Sequence, residues 1–281
     1  MDTLAMAPDR FDLDYKYANI DGINTAYLEA GQGRPLILVH GGGAGADSLG
    51  NWAPSINTFA QHFHVFAVDM VGFGQTDKPD PAAFVYDQEA RDRHMIGFVE
   101  TLGLGAVHMI GNSMGGLTSM GVAAARPDLV DGLILMGSAA IKTEINPSLK
   151  SIMNYDFSYE GMRRIVEALT NDNFQYEETL IDYRHSLSID PKTKAAYEAT
   201  QGWIRNRHGL YCDESHVASV TVPTLVISGK EDKVVPVTSA YRILDLIPDA
   251  WGYIFPNCGH WAMLEHPQKF ARLSIDFLKG Q

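Results

Sequence analysis

Six short apolar runs recur along the chain: "PLILVH" at 35–40, "HVFAVDM" at 64–70, "VHMIGN" at 107–112, "DGLILMGS" at 131–138, "PTLVISG" at 223–229 and "GYIFPNC" at 252–258. Continuous Val/Ile/Leu-rich runs of this length mark strands buried on both faces. Before the first of them, apolar residues alternate from Tyr15 to Ala30 around Asp21-Gly22. Glycine supplies the positive φ of a tight turn there, so the pattern predicts a hairpin. Helical spacing appears between most of the runs, over Asp87–Leu102, Met114–Ala125, Ala240–Leu246 and Pro267–Leu278. The alternation predicts an α/β chain with a mostly parallel, doubly wound sheet.

The rhythm breaks between about Ile141 and Val220, where helical patterns over Tyr159–Leu169 and Glu177–Ser186 replace the strand runs. This stretch reads as an inserted helical lid, 141–220, in a core domain formed by 1–140 and 221–281. No repeat, low-complexity tract or Pro/Ser-rich linker sets it apart, so it is expected to pack on the core.

Composition narrows the function classes. The 281 residues carry a formal net charge of −12, which argues against a general nucleic-acid or anionic-membrane binder and leaves room only for a local basic pocket. The two cysteines, Cys212 and Cys258, have no ligand-like spacing, which excludes a disulfide framework or a zinc site. The segment Met1 to Tyr17 is polar and acidic, and no apolar run reaches membrane-spanning length; a cytoplasmic location is expected.

Chemistry enters at "GNSMGG", where Ser113 stands between Gly111 and Gly115 as a strand-like run gives way to a helix-like one. Such a turn lifts a serine toward solvent at the carboxyl edge of the sheet, where open α/β sheets place their sites. The alternative is a small residue filling a tight turn. A serine nucleophile needs a base, and the base needs an orienting acid. Asp232 in "VISGKEDKVVP" and His260 in "IFPNCGHWAMLEHP" supply them in the order Ser, Asp, His, with Glu231 as a rival acid. His62, His64, His108 and His266 read as structural or surface residues. "HGGGAGA" at 40–46 is a candidate oxyanion loop, with Gly42 as one amide donor and Met114, directly after the serine, as the other.

Together "HGGGAGA", "DMVGFGQTDKP", "GNSMGG", "GKEDKVVP" and "CGHWAMLEHP" resemble the α/β-hydrolases over nearly the whole chain. Asn51, Asn112, Arg184 and Trp261 narrow the resemblance to the meta-cleavage product hydrolases. The glycine loop and the "YDF", "ALTND" and "WGYI" segments look most like the branch that includes carbazole-pathway hydrolases. What the resemblance implies is hydrolysis of the C5–C6 bond of a 2-hydroxy-6-oxohexa-2,4-dienoate bearing an aryl or alkyl group on its ketone. It also implies a small acidic substrate, no metal or organic cofactor, and a dimer or larger assembly. Gly41, Gly43, Asn51, Asn112, Arg184 and Trp261 would then contact substrate, with Arg184 on the carboxylate. Arg163, Arg164, Arg205 and Arg207 compete for that role. Many relatives carry Pro where Ala44 stands and an aromatic near Leu169. Two rival readings stay open: a carboxylesterase using the same triad, and a small-molecule receptor that keeps the fold but signals through lid movement.

Overall fold

The computed structural model describes residues 13–280, so most of the Met1–Tyr17 segment lies outside the described residues. β1 (Tyr15–Ile20) and β2 (Ile23–Gly31) form the expected hairpin. Asp21 and Gly22 turn it with φ of 50° and 87°, the left-handed geometry that the Asp-Gly pair supplies. The six apolar runs give β3 (Pro35–Val39), β4 (His64–Val68), β5 (Val107–Asn112), β6 (Val130–Met136), β7 (Thr224–Gly229) and β8 (Trp251–Phe255). All eight strands form one sheet in the order β1-β2-β4-β3-β5-β6-β7-β8. β2 runs antiparallel to both neighbours, whereas the pairs from β4 through β8 are parallel.

Strands β5 and β7 are buried at every position, as their sequences predict. β8 departs from the expectation. It closes the sheet edge, and Trp251 and Gly252 at its start are exposed.

Helices α1 (Ser48–Phe59), α2 (Gln88–Thr101), α3 (Met114–Ala125), α9 (Val237–Leu246), α10 (Ala262–Glu265) and α11 (Pro267–Lys279) belong to the α/β layers. α1 is not among the helices expected from the sequence, and Gly50, Asn51 and Pro54 within it are poor helix formers. Its apolar residues nevertheless fall at helical spacing: Leu49, Trp52, Ala53, Ile56 and Phe59 are all buried. Asp47 caps it by accepting from Gly50 N–H at 2.7 Å.

Between β6 and β7 lie α4 (Pro147–Met153), α5 (Tyr159–Leu169), α6 (Glu178–Ser188), α7 (Pro191–Asn206) and α8 (Glu214–Ala218). Three of these were not read from the sequence, although α7 carries an Asp190 cap and Pro191 in its first turn. The segment between β6 and β7 packs on the sheet. Met162, Leu169 and Tyr197 share one apolar cluster with Leu38 and Ile134 of the sheet. No helix among the described residues is long and apolar enough to cross a membrane.

Candidate active site

β5 passes into α3 with Ser113 as the only residue between them. Ser113 has φ 55° and ψ −115°, a strained backbone that costs on the order of 1–3 kcal/mol in a non-glycine residue. Surrounding bonds hold it there. Its N–H donates to Met136 O at 2.9 Å, while its carbonyl accepts from Leu117 N at 3.1 Å and Ala139 N at 3.2 Å. The flanking glycines are required by contact: a Cβ on Gly111 would fall 2.3 Å from Gly115 O, and one on Gly115 would fall 2.3 Å from His40 O. Sharp turn, crowded flanks and a partly exposed serine therefore have one local cause.

His260 and Asp232 meet across the ends of β7 and β8. Nδ1 of His260 donates to Asp232 Oδ2 at 2.7 Å, with both side chains buried. The other oxygen, Oδ1, accepts from Val234 N and Val235 N, each at 2.8 Å. The carboxylate is thus fixed from both sides and holds the imidazole in the tautomer whose Nε2 is basic. That Nε2 is buried with no hydrogen-bond partner. Contacts between nucleophile and base commonly tighten only when substrate binds.

Glu231, the rival acid, points elsewhere and accepts from Cys258 N at 3.0 Å. Glu265 braces the other side of the same loop, accepting from Gly259 N at 2.9 Å and Asn171 N at 3.0 Å. Burial pushes the Glu265 carboxyl above its ordinary value. The remaining histidines of the sequence reading sit apart: His62 is exposed with its ring against Phe63, His64 pairs with Glu29, His108 is buried against Phe63, and His266 stands at the start of α11, its ring paired with Asn257 O.

The glycine loop abuts this turn. A Cβ on Gly41 would lie 3.4 Å from Ser113 Cβ, and one on Gly42 would lie 3.0 Å from Met114 Cβ. Met114 opens α3, so its N–H has no acceptor one helical turn back. His40 holds the loop from beneath: Nδ1 donates to Gly41 O at 2.7 Å, and Nε2 accepts from Met70 N at 3.0 Å. Burial lowers the His40 pKa to about 4, which keeps the ring neutral and this hydrogen-bond pattern intact. Sequence reading passed over His40 as the end of a strand; its position directly before the glycines was the available signal.

The opposite end of the site is built by the insert. Arg184 on α6 is 1% exposed, and its Nη2 donates to Ala44 O at 2.8 Å. The guanidinium lies over the Trp261 ring at 4.9 Å from its centroid. No carboxylate among the described residues comes within 4.0 Å of it, and its Nε has no partner. Burial draws its pKa down to about 10, partly offset by the Asp47 carboxyl, so it stays charged at neutral pH. Arg163 pairs with Glu178, and Arg164 with Asp156. Arg205 donates to Met153 O and Arg207 stacks on Trp203, so none of the four competitors is a buried free cation.

Asn51 Nδ2 donates to Asn112 Oδ1 at 3.2 Å, and Asn112 Nδ2 donates to Met136 O at 3.1 Å. The pair joins α1 to the residue before Ser113. Behind α6, buried Asp47 accepts from Tyr183 OH and from Tyr15 OH, and burial beside Asp69 raises its pKa to about 6. A single cavity, with about 890 Å³ free of protein atoms including its mouth, contains Ser113, His260, Arg184, Asn51, Asn112 and Trp261 along its wall. Every predicted site residue except Asp232, which stands behind His260, lines it.

The fold and this wall define a class before any particular relative is considered. The chain belongs to the α/β-hydrolase family, whose model, described as alpha/beta hydrolase fold, matches residues 34–267, and within it to the meta-cleavage product hydrolases. It is 50% identical over 264 residues to the 2-hydroxy-6-oxo-6-(2'-aminophenyl)hexa-2,4-dienoic acid hydrolase of Metapseudomonas resinovorans, covering 94% of this chain and 90% of that one. A solved serine hydrolase involved in carbazole degradation matches with a TM-score of 0.88 and 47% identity, over 96% of this chain and 100% of the other. A meta-cleavage product hydrolase from Pseudomonas fluorescens IP01, solved with acetates, matches with a TM-score of 0.88 and 31% identity, over 94% and 97% of the two chains.

Proposed function

We propose that this protein hydrolyses the C5–C6 bond of 2-hydroxy-6-oxo-6-substituted-hexa-2,4-dienoates, giving a carboxylic acid and 2-hydroxypenta-2,4-dienoate. The observation that carries the proposal is Arg184, a buried cation with no carboxylate in salt-bridge contact, in the same cavity as Ser113 and His260. A buried charge with no carboxylate in contact is costly, and a substrate carboxylate would satisfy it with charge-assisted bonds to its planar fork.

Cleavage of the dienol as it stands would expel a vinyl carbanion from C5. Protonation at C5 first converts the dienol to a 2-oxo form, from which the fragment departs as a stabilised dienolate. In this scheme Arg184 holds the C1 carboxylate, while Asn51 and Asn112 set the C2 oxygen. His260 moves protons, with Asp232 holding its tautomer. Ser113 attacks the C6 ketone, and the amides of Gly42 and Met114 stabilise the oxyanion. Gly41 and Gly43 keep the loop close to substrate, and Trp261 supports the Arg184 guanidinium. One water is consumed, and no metal or organic cofactor enters the balance. The insert 141–220 acts as the lid over the 1–140 and 221–281 core, contributing Arg184. A homo-oligomeric, cytoplasmic enzyme completes the reading, on the strength of the family resemblance.

The test is the decay of visible dienolate absorbance with 6-(2-aminophenyl), 6-phenyl and 6-methyl substrates beside a p-nitrophenyl ester, with Ser113→Ala as control. Rapid Ser113-dependent decay and weak ester turnover are expected. Efficient ester turnover without dienoate decay would make the protein a carboxylesterase, and single binding without multiple turnover would make it a receptor.

A further inference from the structure

What holds Arg184 in place lies behind the cavity wall. Asp47 is 1% exposed and uses both carboxylate oxygens. Oδ1 accepts from Gly50 N at 2.7 Å and caps α1, while Oδ2 accepts from Tyr183 OH of α6 and, at 3.2 Å, from Tyr15 OH of β1. Capping alone needs only an uncharged Ser, Thr or Asn. A carboxylate buried at this point, with the Asp69 charge acting on it, carries a desolvation cost that a cap does not require. Asp69 itself is taken up by the amides of Ser48 and Gln75, each at 2.7 Å, and makes no bond to the insert. Asp47 is thus the buried acid that reaches α6.

The tie acts where the fit is closest. Tyr183 directly precedes Arg184, and a Cβ on Gly45 would fall 2.0 Å from Arg184 O, so the backbone of α6 rests on the glycine loop. On its other side the Tyr183 ring lies against α1: a Cβ on Gly50 would fall 3.2 Å from it, which gives this poor helix former a reason to stand in a helix. α1 also carries Asn51, bonded to Asn112 beside Ser113. One carboxylate therefore links the helix of Arg184 to the helix of Asn51. Its charge also favours the Arg184 cation without a contact inside 4.0 Å, which leaves the guanidinium fork open to a ligand.

We infer that Asp47 is a positioning residue for the substrate carboxylate: through Tyr183 it fixes α6 against α1 and the glycine loop, and so sets Arg184 relative to Asn51, Asn112 and Ser113. The inference rests on the dienoate reading proposed above. Tyr15 bonds the same oxygen but belongs to β1, so losing its hydroxyl leaves α6 tied. The serine end is held by its own bonds, so turnover of a small neutral ester does not call on the tie.

The experiment measures kcat and KM for the 6-phenyl dienoate, kcat/KM for p-nitrophenyl acetate, and melting temperature in the wild type, Tyr183→Phe, Tyr15→Phe and Asp47→Ser. Tyr183→Phe keeps the ring and removes the hydroxyl; Asp47→Ser keeps a helix cap and lacks the oxygen that both tyrosines use. Tyr183→Phe is expected to raise the dienoate KM about tenfold while ester kcat/KM stays within about twofold of the wild type. Asp47→Ser should give the same rise, with no further rise in the double variant. Tyr15→Phe should lower the melting temperature and leave KM where it was. An equal KM rise in both tyrosine variants, or a matching fall on the ester, would mean general loosening and overturn the role. An unchanged dienoate KM in folded Tyr183→Phe overturns it too, and if that variant does not fold, an unchanged KM in Asp47→Ser does so. A wild type that turns over no dienoate removes this inference together with the reading beneath it, whereas an active wild type with an unmoved variant KM removes Asp47 alone.

Discussion

The two ends of the cavity differ in how far the protein satisfies its own groups. At the serine end, Asp232 uses one oxygen for His260 and the other for two backbone amides, and the backbone around Ser113 is bonded on both sides. At the insert end, Arg184 is as deeply buried but has one carbonyl, one aromatic face and no carboxylate in contact. Groups that must keep one geometry through a reaction are over-determined, while a group that awaits a ligand is left short of partners. Incompleteness is thus informative about binding, and completeness about positioning.

The contrast can be broken most forcefully by removing the proposed nucleophile. Ser113→Ala should lower kcat by about 10⁴-fold or more while leaving substrate binding nearly unchanged, measured by single-turnover decay and by equilibrium titration. Arg184→Met should lower kcat/KM by about 10²-fold and yet raise the melting temperature, because an unpaired buried cation is replaced by an apolar side chain of similar reach. A lower melting temperature would show that the bond to Ala44 and the Trp261 contact outweigh the desolvation of the charge.

Asp232→Ala should act in the opposite sense on stability. It strands the amides of Val234 and Val235, and a loss of about 2–5 kcal/mol in urea titrations is expected. Glu265→Gln should cost about tenfold in kcat, since it loosens the loop carrying His260 without touching substrate; an unchanged kcat with reduced stability would make Glu265 purely structural.

The smallest effect is on pH dependence, through the Asp47 carboxyl that ties Tyr183 of α6 to the core. Its pKa is raised from 3.8 to about 6 in the folded protein, so the unfolded chain ionises first and the fold loses stability as pH rises from about 4 to about 6. Asp47→Asn removes that loss. The variant should gain on the wild type across this window and gain nothing more above it, in urea midpoints taken from pH 4 to 8.

Much of this arrangement can be read in the chain because buried strands and tight turns leave few sequence alternatives. The parallel sheet, the hairpin, and Ser113, Asp232 and His260 with their order all follow from runs and spacings. Helix α1 escaped because Gly50, Asn51 and Pro54 mask its propensity, although Leu49, Trp52 and Ile56 hold the spacing and Asp47 the cap. β8 looked doubly buried because an apolar run does not distinguish a central strand from an edge one. His40 and Glu265 lie beyond local patterns for another reason: their significance lies in partners brought by chain segments far away. Arg184 was chosen over its four rivals by family likeness alone; what sets it apart physically is burial without an acid, which no local pattern encodes.

The turn after β7 serves two masters. Val234 and Val235 give their amides to Asp232 and also line the cavity. A change that resizes the cavity there also shifts the acid that aims His260, so substrate range and proton transfer are inherited together at these two positions. Helices α4 and α7 touch the same space without touching Asp232. Variation in substrate range should therefore accumulate in those helices, leaving the valine pair as the part of the wall that a laboratory or a lineage can least afford to edit.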